Sequence, residues 1–224
     1  MFNAQHWQLF FASGLSELLR GLLITLGASL LGLVLALILG VIFGVFATSQ
    51  WKVARAMSRV YVEFFQNTPL ILQAIFLGYG LPILWPALLR IPMFMIGVIA
   101  VSIYHGAYIS EAVRAGIQAI NRGQLEASLS QGMTYVQAMR YVVIPQALRI
   151  VLPPLTNQAV NLIKNTSVLL VLSVPDLMYQ TKLISDSTGA TGPAFLVAAV
   201  LYFILCFPLA RFAKRLEDKA EVTY

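Results

Sequence analysis

The sequence predicts an all-α integral membrane protein, and three observations lead there. Of its 224 residues, 59% are hydrophobic and only 11% charged, where a soluble domain carries about 25% charged residues. The apolar residues gather into five runs, and a helix needs about 20 such residues to cross the hydrocarbon layer. Lys and Arg sit at the ends of those runs and favour one side. One domain, residues 1–224, is the expectation for this length. The net charge of +6 is explained by membrane topology rather than by nucleic acid, because the cations flank the spans. The single Cys206 lies in an apolar run, so no disulfide framework is expected.

The spans fall at roughly 20–48, 58–85, 93–117, 140–172 and 193–213. The first is too long for a signal-peptide core and follows no strongly basic start, so it is expected to remain as a helix. It carries Gly21, Gly27, Gly32, Gly40 and Gly44. Small residues let membrane helices approach closely, which makes Gly40-x-x-x-Gly44 a contact face; ordinary enrichment of Gly in membranes explains it equally well.

In the second span, Asn67-Thr68-Pro69 precedes Gln73. Pro has no amide to donate, so Pro69 should kink the helix and free a carbonyl, leaving Thr68 and Gln73 to line a cavity. Pro82, Pro86 and Pro92 then mark an external loop. In the third span Tyr104, Tyr108 and Glu111 share a face, and Glu111 and Arg114 are spaced to pair. Glu111 suits a structural or gating role, and His105 a packed, hydrogen-bonded one.

The fourth span carries a polar stripe. From Pro154, Asn157 or Gln158, Asn161, and Lys164 or Asn165 recur at helical steps, and Thr166 and Ser167 continue it. Polar groups at membrane depth are costly and face a cavity or the bundle interior. These side chains supply donors for a carboxylate and acceptors for an ammonium. A helix break there would also aim backbone amides at a carboxylate. Equally, Asn and Thr can hold helices together, and Lys164 can pair with a carboxylate of another span. Residues 175–193 read as a second external loop with room for a short helix.

Lys52, Arg55 and Arg59, then Arg114, Arg122, Arg140 and Arg149, then Arg211, Lys214, Arg215 and Lys219 lie on one side. Arg20, Arg90 and Lys182 lie on the other. The excess marks the cytoplasmic side. It places the N-terminus outside and the C-terminus inside, a parity that five spans satisfy.

Between spans three and four lies a polar segment, about 121–137, that is built as a soluble helix would be. Asn121 with Gln124, and Thr134 with Gln137, fit the capping-box spacing, so two short helices should begin near 122 and 135. Gly132 stands where the first must stop. Leu125, Leu129 and Met133 form a small apolar ridge beside Glu126 and Gln131, suited to a partner's groove; its low content of Lys and Arg argues against adhesion to lipid.

Glu126-Ala127-Ser128, Gly132 and Ile144-Pro145 resemble the "EAA" loop of ABC-importer permease subunits. Gly106-Ala107-Tyr108 through Glu111-Ala112-Val113-Arg114, Pro145-Gln146-Ala147-Leu148-Arg149, Lys164-Asn165-Thr166-Ser167 and Asn67-Thr68-Pro69-Leu70 extend the likeness. Over about 18–215 the chain is similar to the polar amino acid permeases of the histidine, glutamate, glutamine, arginine and opine type. It departs from them at three places. Ser128 replaces the second Ala of the triplet. Gln66-Asn67 stands where many relatives have Arg-Gly. Asn165 stands where many have Asp, a lost negative charge that bears on substrate choice.

The resemblance implies a type I ABC importer (MetI-like) transmembrane domain with about five transmembrane helices and a cytoplasmic coupling helix. Two such subunits, identical or homologous, would pair around the path in a bacterial inner membrane. Glu126, Ala127 and Gly132 would dock in a cytoplasmic ATPase dimer that binds ATP and Mg, and an extracytoplasmic binding protein would deliver substrate. Thr68, Gln73, Asn161, Lys164, Asn165, Thr166 and Ser167 are the candidate substrate contacts. Asn165 in place of Asp, together with Lys164, points to glutamate, aspartate or glutamine as the cargo, with arginine, lysine or histidine as the alternative. The chain has no Gly-rich phosphate loop, so hydrolysis would belong to a separate subunit and no cofactor is expected on this one. An intramembrane enzyme would need a nucleophile with its base or a metal cluster, and two His, one Cys and no paired intramembrane carboxylates offer neither. An ion channel would need a charged ring or carbonyl filter, and neither is evident.

Overall fold

The computed structural model describes residues 3–221. A short helix α1 (Ala4–Leu9), capped by the Asn3 side chain, runs through a wide turn into α2 (Leu15–Thr48). Then follow α3 (Lys52–Gln66), α4 (Leu70–Leu84), α5 (Met93–Gln118), α6 (Arg122–Ser130), α7 (Tyr135–Leu172), α8 (Leu177–Thr188) and α9 (Thr191–Glu221). By length and composition α2, α5 and α9 are each able to cross a membrane alone. The count reaches five only if α3 with α4 and α7 with α8, bent by 104° and 51°, are each one span.

α5 is the centre of the bundle. In the most apolar stretch of each helix, 61% of α5 is buried against 22% of α2 and 17% of α9. It packs along α2, where glycine sets the separation. A Cβ on Gly44 would lie 2.6 Å from Val113 Cβ and 2.9 Å from Ser110 O, and one on Gly40 would overlap Ile109. The Gly40-x-x-x-Gly44 face is therefore a helix contact, as membrane packing by small residues requires. Ile96, Val98, Val101, Ile109, Leu162 and Leu169 complete the core between α2, α5 and α7. A second cluster of Phe10, Leu18, Leu177, Ile184 and Ala194 joins the N-terminal segment to α8 and α9.

The second span departs from expectation. Instead of one kinked helix over 58–85, the chain turns sharply between Gln66 and Leu70. Pro69 offers no N–H to the carbonyl of Phe65 and restricts the residue before it to extended backbone. The side chain of Gln73 replaces that amide, its Nε2 donating to Phe65 O at 3.0 Å and to Thr68 Oγ1 at 2.8 Å. Ser58 Oγ donates to Phe43 O at 2.8 Å and Tyr61 Oη to Ile103 O at 2.7 Å, which moors α3 to α2 and α5.

The expected loop over 175–193 is mostly the helix α8, capped by Asp176, whose Oδ1 accepts from Tyr179 N at 2.9 Å. The fifth span continues past 213 to Glu221, about two turns more than hydropathy alone suggests.

Replacement of Gly44 by Ala should lower the thermal midpoint of the purified protein, because inserting a methyl into a packed contact costs about 1–3 kcal/mol. Gly27→Ala, whose Cβ would meet only Phe94 at 4.0 Å, should leave it at or above wild type. Equal midpoints for the two variants would contradict the α2–α5 contact.

Candidate functional site

Two groups of residues concern function: the polar segment between α5 and α7, and the polar stripe of α7. The first is held by its own caps. Asn121 Oδ1 accepts from Gly123 N at 2.8 Å, and Gln124 N donates to the backbone carbonyl of Asn121 at 2.9 Å. The reciprocal box expected between Asn121 and Gln124 is thus replaced by a one-sided cap, since the amide that would complete it already has a partner. The box between Thr134 and Gln137 does form, with Thr134 N to Gln137 Oε1 at 2.8 Å and Gln137 N to Thr134 Oγ1 at 3.3 Å. α6 and α7 accordingly start at Arg122 and Tyr135.

α6 closes on Gly132. Its φ is +84°, a left-handed conformation that costs other residues about 1–2 kcal/mol. Gly132 N donates to Leu129 O at 3.0 Å and Met133 N to Ser128 O at 3.2 Å, the pair of bonds of a Schellman end. Ser128 is buried, with its hydroxyl on Gln124 O at 2.6 Å. Glu126, Ala127 and Gly132 are exposed on the other side. Leu125 turns half inward and Leu129 stays 41% exposed, which splits the apolar ridge between the chain and its surroundings. α6 therefore presents an open face on a base fixed to α5 at one end and α7 at the other. It lies at the end of α2 opposite the N-terminal cluster, beside Thr48, Gln50 and Arg55.

The stripe of α7 is organised around His105, near the middle of α5. The ring is 1% exposed. Its Nδ1 lies 3.1 Å from Gln158 Oε1 and its Nε2 lies 3.0 Å from Asn165 Nδ2. An amide N–H donating to Nε2 leaves the proton on Nδ1, so the set is complete with a neutral ring. Asn157 turns elsewhere, Nδ2 donating to Glu217 Oε1 of α9 at 2.6 Å. Asn161 and Ser167 are half-buried, and Lys164 is exposed and without an ion pair among the described residues. Thr166 is fully buried, its hydroxyl on Ile163 O at 2.7 Å. Thr68 Oγ1 donates to Phe64 O at 2.9 Å while accepting from the buried Gln73. The structure thus brings Asn165 to His105 and Thr68 to Gln73, but it does not join the two groups. Tyr104 and Tyr108 adjoin His105, their hydroxyls 3.2 Å apart. Glu111 and Arg114 pair, with Arg114 Nε to Glu111 Oε2 at 2.9 Å.

After Asn165 the helix tightens over Thr166–Leu172, and Ser173 takes a φ of 55°. The break anticipated from the stripe is present, yet two amides beyond it already have partners. Leu177 N donates to Thr25 Oγ1 at 3.1 Å and Tyr179 N to Asp176. Gly21 admits this corner, since a Cβ there would lie 2.8 Å from Asp176 O. Sequence reasoning did not single out Asp176; its place three residues before Tyr179 at a helix start was the signal that could have found it.

Residues 36–222 match the family described as "Binding-protein-dependent transport system inner membrane component". The chain is 42% identical over 200 residues to the "Probable glutamine ABC transporter permease protein GlnM" of Bacillus subtilis (strain 168), covering 89% of this chain and 91% of that one. It is 38% identical over 207 residues to the "Probable amino-acid ABC transporter permease protein PatM" of Vibrio harveyi, covering 92% and 93%. Among solved structures, one titled "Crystal structure of an amino acid ABC transporter with histidines" aligns at a TM-score of 0.86 and 29% identity, covering 98% of this chain and 100% of that one. The MetNI methionine ABC transporter aligns at 0.62 and 17% identity, covering 96% and 99%, a likeness of fold alone. The chain belongs to the binding-protein-dependent transport family as an ABC-importer permease of the polar amino acid kind, with the type I importer fold.

Proposed function

We propose that this chain is the permease subunit of an ATP-driven importer of glutamine, glutamate or aspartate. The observation that carries the coupling role is the capped helix α6, which holds Glu126, Ala127 and Gly132 exposed on a base fixed to two spans. A cytoplasmic ATPase dimer, which binds ATP and Mg itself, would seat this face. An extracytoplasmic binding protein would meet the opposite end, and a second permease copy, identical or homologous, would complete the path. The Lys and Arg asymmetry supports a multi-pass placement in the inner membrane with the N-terminus outside and the C-terminus inside.

Closure of the ATPase dimer would move α6 as a lever, and the two permeases would alternate between outward-open and inward-open states. Asn161, Lys164, Asn165 and Ser167, with Thr68, are the proposed substrate contacts. Thr166 and Gln73 are proposed to act on the same site from the packed positions they occupy. Glutamine-type relatives support an uncharged or acidic cargo, and so does an amide rather than a carboxylate at Asn165. A basic cargo is the second reading, favoured by the solved relative whose title names histidines.

The test is ATP hydrolysis by the permease assembled with its ATPase and binding protein, across twenty amino acids. Stimulation by glutamine, glutamate or aspartate is expected. Stimulation by arginine, lysine or histidine alone would establish the second reading, and no stimulation would overturn both.

The coupling face has its own outcome. Glu126→Lys, and Gly132→Val through its left-handed backbone, should each reduce substrate-stimulated uptake by at least tenfold while the protein still reaches the membrane. Uptake at the wild-type rate would contradict the docking role.

A further inference from the structure

A polar cavity of about 500 Å³ opens between α3 and α5, and neither the coupling face nor the α7 stripe uses it. Arg59, Glu63 and Gln66 of α3 face Glu111, Arg114 and Gln118 of α5 across it. Glu111 lies six residues beyond His105, about 9 Å further toward α6 at the rise of an α-helix. The cavity therefore occupies the α6 side of the bundle. Five ionisable side chains line it: Arg55, Arg59, Glu63, Glu111 and Arg114.

The ion pair in the cavity does not join the two helices that form it. Glu111 and Arg114 pair within α5, and Arg114 also reaches Gln118 on the same helix. Gln66 crosses only with its amide nitrogen, Nε2 donating to Ala107 O at 3.2 Å. Arg55, at the rim, places its guanidinium on Ser49 O at 2.7 Å. Among the described residues, Arg59 and Glu63 make no ion pair or side-chain hydrogen bond; both are exposed and stand one turn apart on α3. Residues four apart on a helix have Cβ atoms about 5–6 Å from one another.

An amino acid carries its carboxylate and its ammonium on one carbon, so a single zwitterion can engage Arg59 and Glu63 together. With each of those charges answered, and Glu111 already answered by Arg114, Arg55 is the one cation lining the cavity without a carboxylate, which disfavours a basic side chain. A carboxamide or a carboxylate can hydrogen-bond to Gln66 and Gln118. The volume lies within the range of small-molecule sites, about 300–1,000 Å³.

We propose that this cavity is an inner station on the transport path that holds an amino acid zwitterion with an uncharged or acidic side chain, glutamine or glutamate before arginine. Arg59 receives the α-carboxylate and Glu63 the α-ammonium. The proposal rests on the importer reading above.

The test is equilibrium binding of tritiated L-glutamine to the permease–ATPase complex without the binding protein, with two competitors. One is glutaramic acid, which lacks the ammonium, and the other is 4-aminobutanamide, which lacks the carboxylate. For the wild type, each should compete about tenfold or more weakly than glutamine, the size of one lost charge-assisted bond. Glu63→Gln should lose discrimination against glutaramic acid only, and Arg59→Gln against 4-aminobutanamide only. Misfolding would not produce opposite selectivity changes, and Lys52→Gln on the same helix outside the cavity should retain both preferences.

Uptake into proteoliposomes with the binding protein present separates the two levels. No uptake of any polar amino acid by the wild type would overturn the importer reading. Uptake of glutamine without saturable binding, or with discrimination unchanged in both variants, would overturn the inner station alone.

Discussion

Inside hydrocarbon, a backbone carbonyl or amide must find its partner within the protein, because no water is there to supply one. The rest of this structure follows from that constraint. Pro69 removes one amide from the second span, and the chain keeps the resulting turn only because Gln73 supplies a side-chain amide to Phe65. The bend between α7 and α8 is closed in the same way, by Asp176 and Thr25 on the first amides of α8. Such breaks are fixed joints rather than loose hinges. Polar side chains buried at them satisfy the backbone, which limits which of them remain to meet a substrate.

The sequence made the continuous elements legible. Local patterns carry their own information: α2 and α5 follow from unbroken apolar runs, and Gly132 from the need for a left-handed residue at a helix end. The box at Thr134 and Gln137, the spacing of Glu111 and Arg114, and a hydrogen-bonded His105 were likewise readable, because each depends on near neighbours or on the cost of an unpartnered polar group. What sequence could not supply depends on distant partners. Pro69 marks a break, but the 104° angle of the turn goes with α3 packing on α2 and α5 while α4 packs on α5 and α7. The cap of α8 joins Leu177 to Thr25 across the bundle. The link from Asn165 to His105 brings together residues sixty apart, and no spacing rule predicts it.

That link also alters the meaning of Asn165. A carboxylate at this position would face the imidazole of His105, where the amide now hydrogen-bonds to Nε2. The charge at this position is thus a property of α5 and α7 together, not of one residue. α5 carries much of this burden: it packs on α2 through glycine, meets the stripe of α7 through His105, borders the cavity through Glu111 and Arg114, and leads directly into α6. Under the proposed coupling role, a displacement imposed on α6 would be delivered to the most buried of the three long apolar helices.

The central claim is that α6 transmits ATP-driven movement to the spans. The direct measurement is the distance between the two α6 helices of the assembled transporter, from spin labels on Gln131→Cys in a Cys206→Ser background. Binding of ATP with the loaded binding protein should shorten that distance, and hydrolysis should restore it. A distance that stays constant through a cycle in which uptake proceeds would contradict the account.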